Sequence, residues 1–124
     1  MTGWNNTKTA EAYESYAQTH SMYRDTSRDL VALAKIERHM HIVDLCCGTG
    51  ITSQAVLEKL AQSGHLFSVD LSSAMLAIAR KKLNASNISF HESAAEKCHQ
   101  IIGKSLDRVV CNSAFWQVEA NATL

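Results

Sequence analysis

Short apolar runs alternate with amphipathic stretches along most of this chain, an order typical of a parallel sheet whose strands are joined by helices. Buried strands are predicted at 42–45, 65–70, 87–91 and 106–112. The intervening segments repeat apolar residues at helical spacing, which predicts helices over 52–62 and 73–83. Right-handed crossovers then give an α/β fold with strand order 3-2-1-4 and helices on both faces of the sheet.

The segment before the first strand has the pattern of amphipathic helices. Ala10, Tyr13 and Ala17 share one face of a helix predicted over 9–18. A second helix is predicted over 29–39, with an internal face formed by Leu30, Leu33, Ala34 and Glu37. Two end signals lie further along the chain, where Gly64 should end the helix over 52–62 and Ser72 should cap the helix over 73–83.

The turn after the first strand carries the strongest chemical signal. Residues 44–50 read Asp-Leu-Cys-Cys-Gly-Thr-Gly and lead directly into a helix. Gly48 and Gly50 allow positive φ and remove the β-carbons that would keep a ligand away from the backbone. The free N–H groups of the following helix face the same space. This arrangement predicts a nucleotide-like cofactor at the carboxyl edge of the sheet.

Several ligand classes use a glycine turn of this kind, and the neighbouring residues separate them. No Gly-Lys-Ser/Thr follows, which excludes a P-loop. Ser53 occupies the third small position of a dinucleotide fingerprint, so that interpretation stays open. Asp44, however, would repel a pyrophosphate. An acid there suits a cationic ligand such as S-adenosylmethionine, which carries a sulfonium and an ammonium.

The acid-small-Cys-Gly-x-Gly turn resembles that of the class I S-adenosylmethionine-dependent methyltransferases, in the branch that methylates small molecules. Other segments are similar to the same family: Asp70 ends the second strand, 70–76 has the pattern acid, apolar, Ser, then Met-Leu, and 93–96 is similar to a Gly-Asp-Ala-Glu segment. The resemblance implies a partial Rossmann-like cofactor-binding domain over 41–124, preceded by a helical lid segment over 1–40. It covers only the N-terminal half of the family's fold.

The resemblance also implies a set of cofactor-binding residues. Asp44 would lie beside the methionine half, Asp70 would accept both ribose hydroxyls, and Tyr16 or Tyr23 would reach the methionine carboxylate or merely cover the sheet. The remaining implied contacts come from the turn, the adenine side and the fourth strand: Cys46, Cys47, Gly48, Gly50, Leu71, Met75, Ala94, Ala95, Glu96, Cys111 and Asn112. Met75 suits the core as well as the adenine. Phe115 and Trp116 would form an aromatic wall beside the sulfonium.

Two positions depart from the family pattern. Cys46 replaces the first glycine of the turn, a mild change to a small apolar residue that is expected to contact the ligand through its backbone. A nucleophilic role for Cys46 would need a cationic neighbour. Ala94 replaces the usual acid, which removes a side-chain acceptor for the adenine amino group and predicts weaker adenine binding.

Composition and charge exclude several partner classes. The 124 residues carry 12 basic and 12 acidic side chains without a basic run, so nucleic acid is not an expected partner. No apolar run is long enough for a membrane span. The 4 cysteines are interpreted as reduced thiols of a cytoplasmic protein. A metal site built from His91, Cys98 and His99 lacks ligand spacing, so no metal is predicted.

The favoured hypothesis is therefore an S-adenosylmethionine-dependent methyltransferase acting on a small-molecule acceptor. His91, His99 and Glu119 are candidate general bases. The alternative is a non-catalytic cofactor-binding or self-assembling module, and a nucleotide-dependent oxidoreductase is disfavoured by Asp44. Strand 106–112 would leave an exposed edge, so we expect either a truncated chain or a homodimer paired along that edge.

Overall fold

The computed structural model describes residues 5–100 and 105–112, apart from the side chains of Cys98 and Gln100. One parallel sheet has the order β3-β2-β1-β4. Its strands are β1 (His41–Leu45), β2 (His65–Asp70), β3 (Ile88–Glu92) and β4 (Arg108–Val110). The helices are α1 (Thr7–Thr19), α2 (Met22–Leu33), α3 (Ile51–Leu60) and α4 (Ser73–Lys82), and a 3-10 helix spans Ala95–Gln100. The α/β class and the predicted strand order are confirmed.

Both faces of the sheet carry apolar residues, because alternate side chains of each strand point to opposite sides. On one face, Ile42 and Leu66 pack against Val56 and Leu60 of α3. On the other, Val43, Leu45 and Val69 form a second cluster with Ala95 of the 3-10 helix. Burial on both faces explains why the strands read as nearly continuous apolar runs.

The second leading helix differs from its prediction. It runs from Met22 to Leu33 rather than over 29–39, and it ends before Lys35, whose φ is +52°. Leu33, expected inside, is 81% exposed. The buried face instead contains Val31 and Ser27, whose hydroxyl lies 2.7 Å from that of Thr52 on α3. A pattern of apolar residues cannot identify a buried polar residue such as Ser27 as part of the packing face.

Other boundaries move for local reasons. Helix α3 is capped by Ala61, so Gly64 does not end it; Gly64 lies in the turn toward β2, where a β-carbon would clash with the carbonyl of Met40. Strand β4 is shorter than 106–112, and just before it begins the Asp107 carboxylate accepts the His41 N–H at 2.8 Å. The predicted cap at Ser72 is confirmed, with its hydroxyl accepting the Met75 N–H at 3.1 Å.

A membrane-spanning helix is not found among the described residues, since none of their helices combines the necessary length and apolar character.

Candidate functional site

The turn between β1 and α3 is held by backbone bonds and by three residues with positive φ. Cys46, Gly48 and Gly50 have φ of +56°, +56° and +95°. The Cys47 N–H donates to the carbonyl of Val69 at 2.9 Å, which fixes the turn against the end of β2. Positive φ at Cys46 strains a residue that has a β-carbon, and such strain is common at functional sites.

The two glycines of the turn serve different purposes. A β-carbon added at Gly48 would meet no atom within 4 Å, so the backbone there is open to a ligand. A β-carbon at Gly50 would lie 2.7 Å from Cδ1 of Leu83, the residue that follows α4. Gly50 therefore also allows α4 to pack against the turn, while contact of its backbone with the ligand stays a prediction.

Asp44 is a buried acid whose carboxylate is held by a serine hydroxyl. It is 1% exposed, and its carboxylate accepts the hydroxyl of Ser53 at 2.6 Å. The Ser53 hydroxyl lies 2.7 Å from that of Ser68, which completes a buried polar chain across β1, α3 and β2. The pKa of Asp44 is raised to about 7, mainly by burial; the hydrogen bond from Ser53 lowers it, and the charge of Asp70 adds to the rise.

No cationic side chain forms an ion pair with Asp44 within residues 5–100 and 105–112. A buried carboxylate without a cation is costly, so this position favours a ligand that brings positive charge. Ser53, noted in the sequence only as a small residue of a dinucleotide fingerprint, instead orients this carboxylate.

Asp70 ends β2 and is held by backbone N–H groups rather than hydroxyls. Its two carboxylate oxygens accept the N–H of Gly48 and the N–H of Ser72, both at 2.8 Å. Burial raises its pKa, while the backbone N–H groups oppose that rise. The backbone N–H of Leu71 also hydrogen bonds to this carboxylate. A carboxylate offers about four acceptor sites, so acceptor capacity remains for a ligand hydroxyl. The bond from Gly48 also joins the glycine turn to the end of β2.

The residues predicted near adenine lie around the end of β2 and the start of the 3-10 helix. Leu71 is 50% exposed, while Met75 is only 4% exposed and packs in the core. Ala94 and Glu96 flank Ala95, which is buried in the second apolar cluster. The adenine contacts of these residues stay predictions.

Cys46 and Cys111 bring their thiols into hydrogen-bonding contact where β1 and β4 end. That contact, and then burial, raises the pKa of Cys46 far above its ordinary value. Burial also raises the pKa of Cys47. Both cysteines of the turn are therefore neutral thiols near neutral pH, which disfavours the nucleophilic interpretation of Cys46.

The leading helices carry a third tyrosine, Tyr13, within electrostatic range of both acids, although the resemblance implied Tyr16 or Tyr23. The charges of Asp44 and Asp70 reach Tyr13, whose pKa is raised to about 12, mainly by burial and then by Tyr23, Glu14 and these acids. The rings of Tyr13 and Tyr23 lie 5.3 Å apart between centroids. The signal was present in the sequence, because Tyr13 shares a helix face with two buried alanines, Ala10 and Ala17.

Tyr16 lies further out than Tyr13. It is 47% exposed, and its ring stacks on His20 with centroids 3.9 Å apart. Its ring also meets the edge of Tyr23, at 6.2 Å between centroids. The cofactor roles of Tyr16 and Tyr23 stay predictions.

The exit of β4 is tied to the leading helices through a side chain. The Asn112 amide donates to the hydroxyls of Ser27 at 3.1 Å, Thr26 at 3.3 Å and Thr52 at 3.4 Å. These bonds orient the Asn112 side chain toward α2 and α3. Contact of its backbone carbonyl with the ligand stays a prediction. Phe115, Trp116 and Glu119 lie outside the described residues.

Of the other candidate bases, His91 hydrogen bonds within its own strand. Its Nε2 lies 2.8 Å from the hydroxyl of Ser89, and burial and then the charge of Arg80 lower its pKa. His99 lies exposed on the 3-10 helix. Neither residue is linked by a described hydrogen bond to the two acids of the site.

Comparisons with known proteins agree with this geometry. A family model described as a methyltransferase domain matches residues 42–124. The malonyl-[acyl-carrier protein] O-methyltransferase of Bacillus cereus is 30% identical over 86% of this chain and 39% of its own length. The trans-aconitate 2-methyltransferase of an Acidovorax species is 41% identical over 55% of this chain and 26% of its own length. This chain thus spans less than half of either relative.

A solved structure shares the fold at low sequence identity. It is a Methanococcus maripaludis protein whose own assignment as an S-adenosyl-L-methionine-dependent methyltransferase is provisional, and it matches with a TM-score of 0.73 and 20% identity. The match covers 95% of this chain and 55% of that protein. Together with the family match and the relatives, this identifies the chain as a member of the S-adenosylmethionine-dependent methyltransferase family, whose methyl donor is S-adenosylmethionine.

Proposed function

We propose that this protein transfers a methyl group from S-adenosylmethionine to a small-molecule acceptor, with the cofactor bound at the carboxyl edge of β1 and β2. The observation that carries the proposal is the pair of buried acids around an open glycine turn. Asp44 is 1% exposed and Asp70 is 7% exposed, and the backbone at Gly48 between them is unobstructed. A ligand with a cationic end and a ribose matches both acids.

The different partners of the two acids set the orientation of the cofactor in this proposal. Asp44 lacks a cation among the described residues, so it receives the ammonium and sulfonium end. Asp70 is already oriented by backbone N–H groups, and its remaining acceptor capacity receives the ribose. The charges of both acids act on Tyr13, which supports placing its ring beside the middle of such a ligand.

A carboxylate is the acceptor class that we favour. Two relatives are named for acids, the malonyl group of an acyl-carrier protein and trans-aconitate. A carboxylate is already ionised near neutral pH, so it attacks the methyl group without a general base. Catalysis then depends on bringing the carboxylate oxygen into line with the sulfonium methyl, which is a matter of proximity and orientation.

We further propose a homodimer that pairs along β4 in the cytoplasm. In the described sheet β4 has a partner only on its β1 side, and Val109 is 56% exposed. A strand edge with unpaired backbone groups favours pairing with a second copy. Cys46, Cys47 and Cys111 are reduced thiols and not parts of a disulfide, which suits a reducing compartment. A monomer by light scattering at tens of micromolar would contradict the dimer.

Calorimetric titration separates the proposed enzyme from its alternatives. We expect S-adenosylhomocysteine to bind and NADH not to bind, and the reverse result would support an oxidoreductase. Transfer of labelled methyl to a panel of small dicarboxylic acids then tests turnover. Binding of S-adenosylhomocysteine without transfer to this panel or to a metabolite extract would leave the alternative of a non-catalytic cofactor-binding module.

A further inference from the structure

Glu14 joins the first helix to the glycine turn and to α4. The hydroxyl of Thr49, inside the turn, donates to Oε1 of Glu14 at 3.0 Å. The ammonium of Lys82 on α4 lies 3.0 Å from the same oxygen and 2.8 Å from Oε2. Three segments that are distant in the sequence therefore meet at a single carboxylate.

This polar cluster is shielded from water. Thr49 is 0% exposed, and the side chains of Glu14 and Lys82 are 15% and 22% exposed. Hydrogen bonds and ion pairs with limited solvent contact are screened less than those on an open surface. The cluster can therefore influence the position of α1, where a fully exposed salt bridge would contribute little.

Besides this cluster, helix α1 packs through two small buried residues and through the ring contact of Tyr13 with Tyr23. Its buried residues are Ala10 and Ala17, whose small side chains supply little hydrophobic stabilisation. Tyr13, next to Glu14 in the chain, is within electrostatic range of Asp44 and Asp70. A shift or rotation of α1 would therefore move Tyr13 relative to both acids of the proposed cofactor site.

We propose that Glu14 is a positioning residue that couples docking of α1 to the conformation of the cofactor turn. This coupling rests on the proposed function, because the ligand of the turn is taken to be S-adenosylmethionine. Binding of the cofactor orders the turn and with it Thr49, which strengthens the docking of α1. By reciprocity, docked α1 raises the affinity of the turn for its ligand by the same factor by which the ligand strengthens docking. Loss of the Glu14 contacts should remove that gain in affinity.

The test combines calorimetry with hydrogen exchange, using S-adenosylhomocysteine as the probe. Glu14→Leu removes every contact of the cluster, and Thr49→Val removes the hydroxyl from the turn with little change of shape. Each should weaken binding about tenfold, the scale of one charge-assisted hydrogen bond. The double variant should bind about as well as the weaker single variant, since both substitutions break the same bond.

Conservative and control variants define the role further. Glu14→Gln keeps an acceptor for Thr49 and should restore affinity to within about threefold of the wild type. Glu11→Gln on α1 and Lys81→Met on α4 change exposed residues outside the cluster and should leave affinity unchanged. In the wild type, the probe should slow amide exchange over 7–19, and this protection should be lost in Thr49→Val.

Two failures can be told apart. If wild-type protein does not bind S-adenosylhomocysteine, the proposed function fails and the coupling fails with it. If wild type binds but Glu14→Leu and Thr49→Val bind equally well, the coupling is overturned while the proposed function stands. A lower melting temperature with unchanged affinity would also overturn it, since that is the result of a purely structural contact.

Discussion

The ends of β1 and β2 both present a buried acid to the same space, yet the two acids are held by different groups. Asp44 is bound by a serine hydroxyl and has a pKa raised to about 7. Asp70 accepts two backbone N–H groups, which stabilise its ionised form. The difference indicates that the β1 end responds to the charge of a ligand, whereas the β2 end offers fixed hydrogen-bond acceptors.

Among the substitutions that test this difference, removal of the acid at the end of β2 should have the largest effect on cofactor affinity. Asp70→Ala is expected to cost about 1.5–3 kcal/mol of S-adenosylhomocysteine binding, the range for hydrogen bonds to a charged group. It should also loosen the glycine turn, because the Gly48 N–H loses its acceptor. Calorimetry measures the affinity, and Glu92→Ala, an exposed acid at the end of β3, serves as the control. Unchanged affinity would mean that the adenosine lies elsewhere.

Acidity at the β1 end should make cofactor binding depend on pH. Ionised Asp44 attracts a cationic ligand, and the ionised fraction grows as the pH rises through about 7. Affinity for S-adenosylmethionine should therefore rise between about pH 6 and pH 8, by up to about tenfold per pH unit below the pKa. Titration at several pH values measures this. Asp44→Asn should bind more weakly at pH 8 and lose the dependence.

The stability of the ligand-free protein should depend on Asp44 in the opposite direction, falling as the pH rises. A raised pKa means that the folded state holds a proton that the unfolded chain loses near pH 4, so stability falls as the pH rises from about 4 to about 7. The Asp44→Asn variant should lack this part of the decline. Thermal unfolding of both proteins measures it, and identical curves would contradict a buried, uncompensated carboxylate.

Tyr13 lies near both acids, and its hydroxyl should contribute a smaller amount to binding. Tyr13→Phe keeps the ring against Tyr23 and is expected to cost about 0.5–1.5 kcal/mol of S-adenosylhomocysteine binding, the contribution of one ordinary hydrogen bond. Tyr16→Phe should have no effect, because Tyr16 is half-exposed and its ring stacks on His20. Equilibrium titration of both variants decides between the two tyrosines, and the reverse order would place Tyr16 over the cofactor.

Cys46, just beyond the β1 acid, should have the smallest effect. Cys46→Gly relieves the strain of a positive φ but loses the contact with Cys111 and adds freedom to the unfolded chain. We expect stability to change by less than about 1 kcal/mol in denaturant unfolding, and cofactor affinity to stay the same. A large loss of affinity would show that the side chain, and not only the backbone, contacts the ligand.

The sequence was informative where local pattern decides the structure. The strand order, the glycine turn and the Ser72 cap follow from apolar periodicity and from residue types at fixed spacing. It was uninformative where partners come from distant segments. Nothing in the pattern shows that Ser53 meets Asp44, or that Thr49 meets Glu14. Such polar pairs depend on how the helices pack, and one amino-acid sequence does not show that packing.

The purpose of Gly50 was also hidden for this reason. Its positive φ is a local property and was predicted, but the clash with Leu83 depends on the position of α4. In the same way, the apolar pattern selected 29–39 as the second helix because it could not recognise Ser27 as part of the buried face. The sequence therefore pointed to the glycine turn and its two acids, but not to much of what supports them.

The most direct test of the two-ended site compares S-adenosylhomocysteine with 5′-methylthioadenosine, which keeps the adenosine and lacks the amino acid. Calorimetric affinities of both ligands would be measured at pH 8 for the wild type, Asp70→Ala and Asp44→Asn. We predict that Asp70→Ala weakens both ligands and that Asp44→Asn weakens only S-adenosylhomocysteine. Equal losses for both ligands in Asp44→Asn, or no loss of 5′-methylthioadenosine binding in Asp70→Ala, would contradict the account.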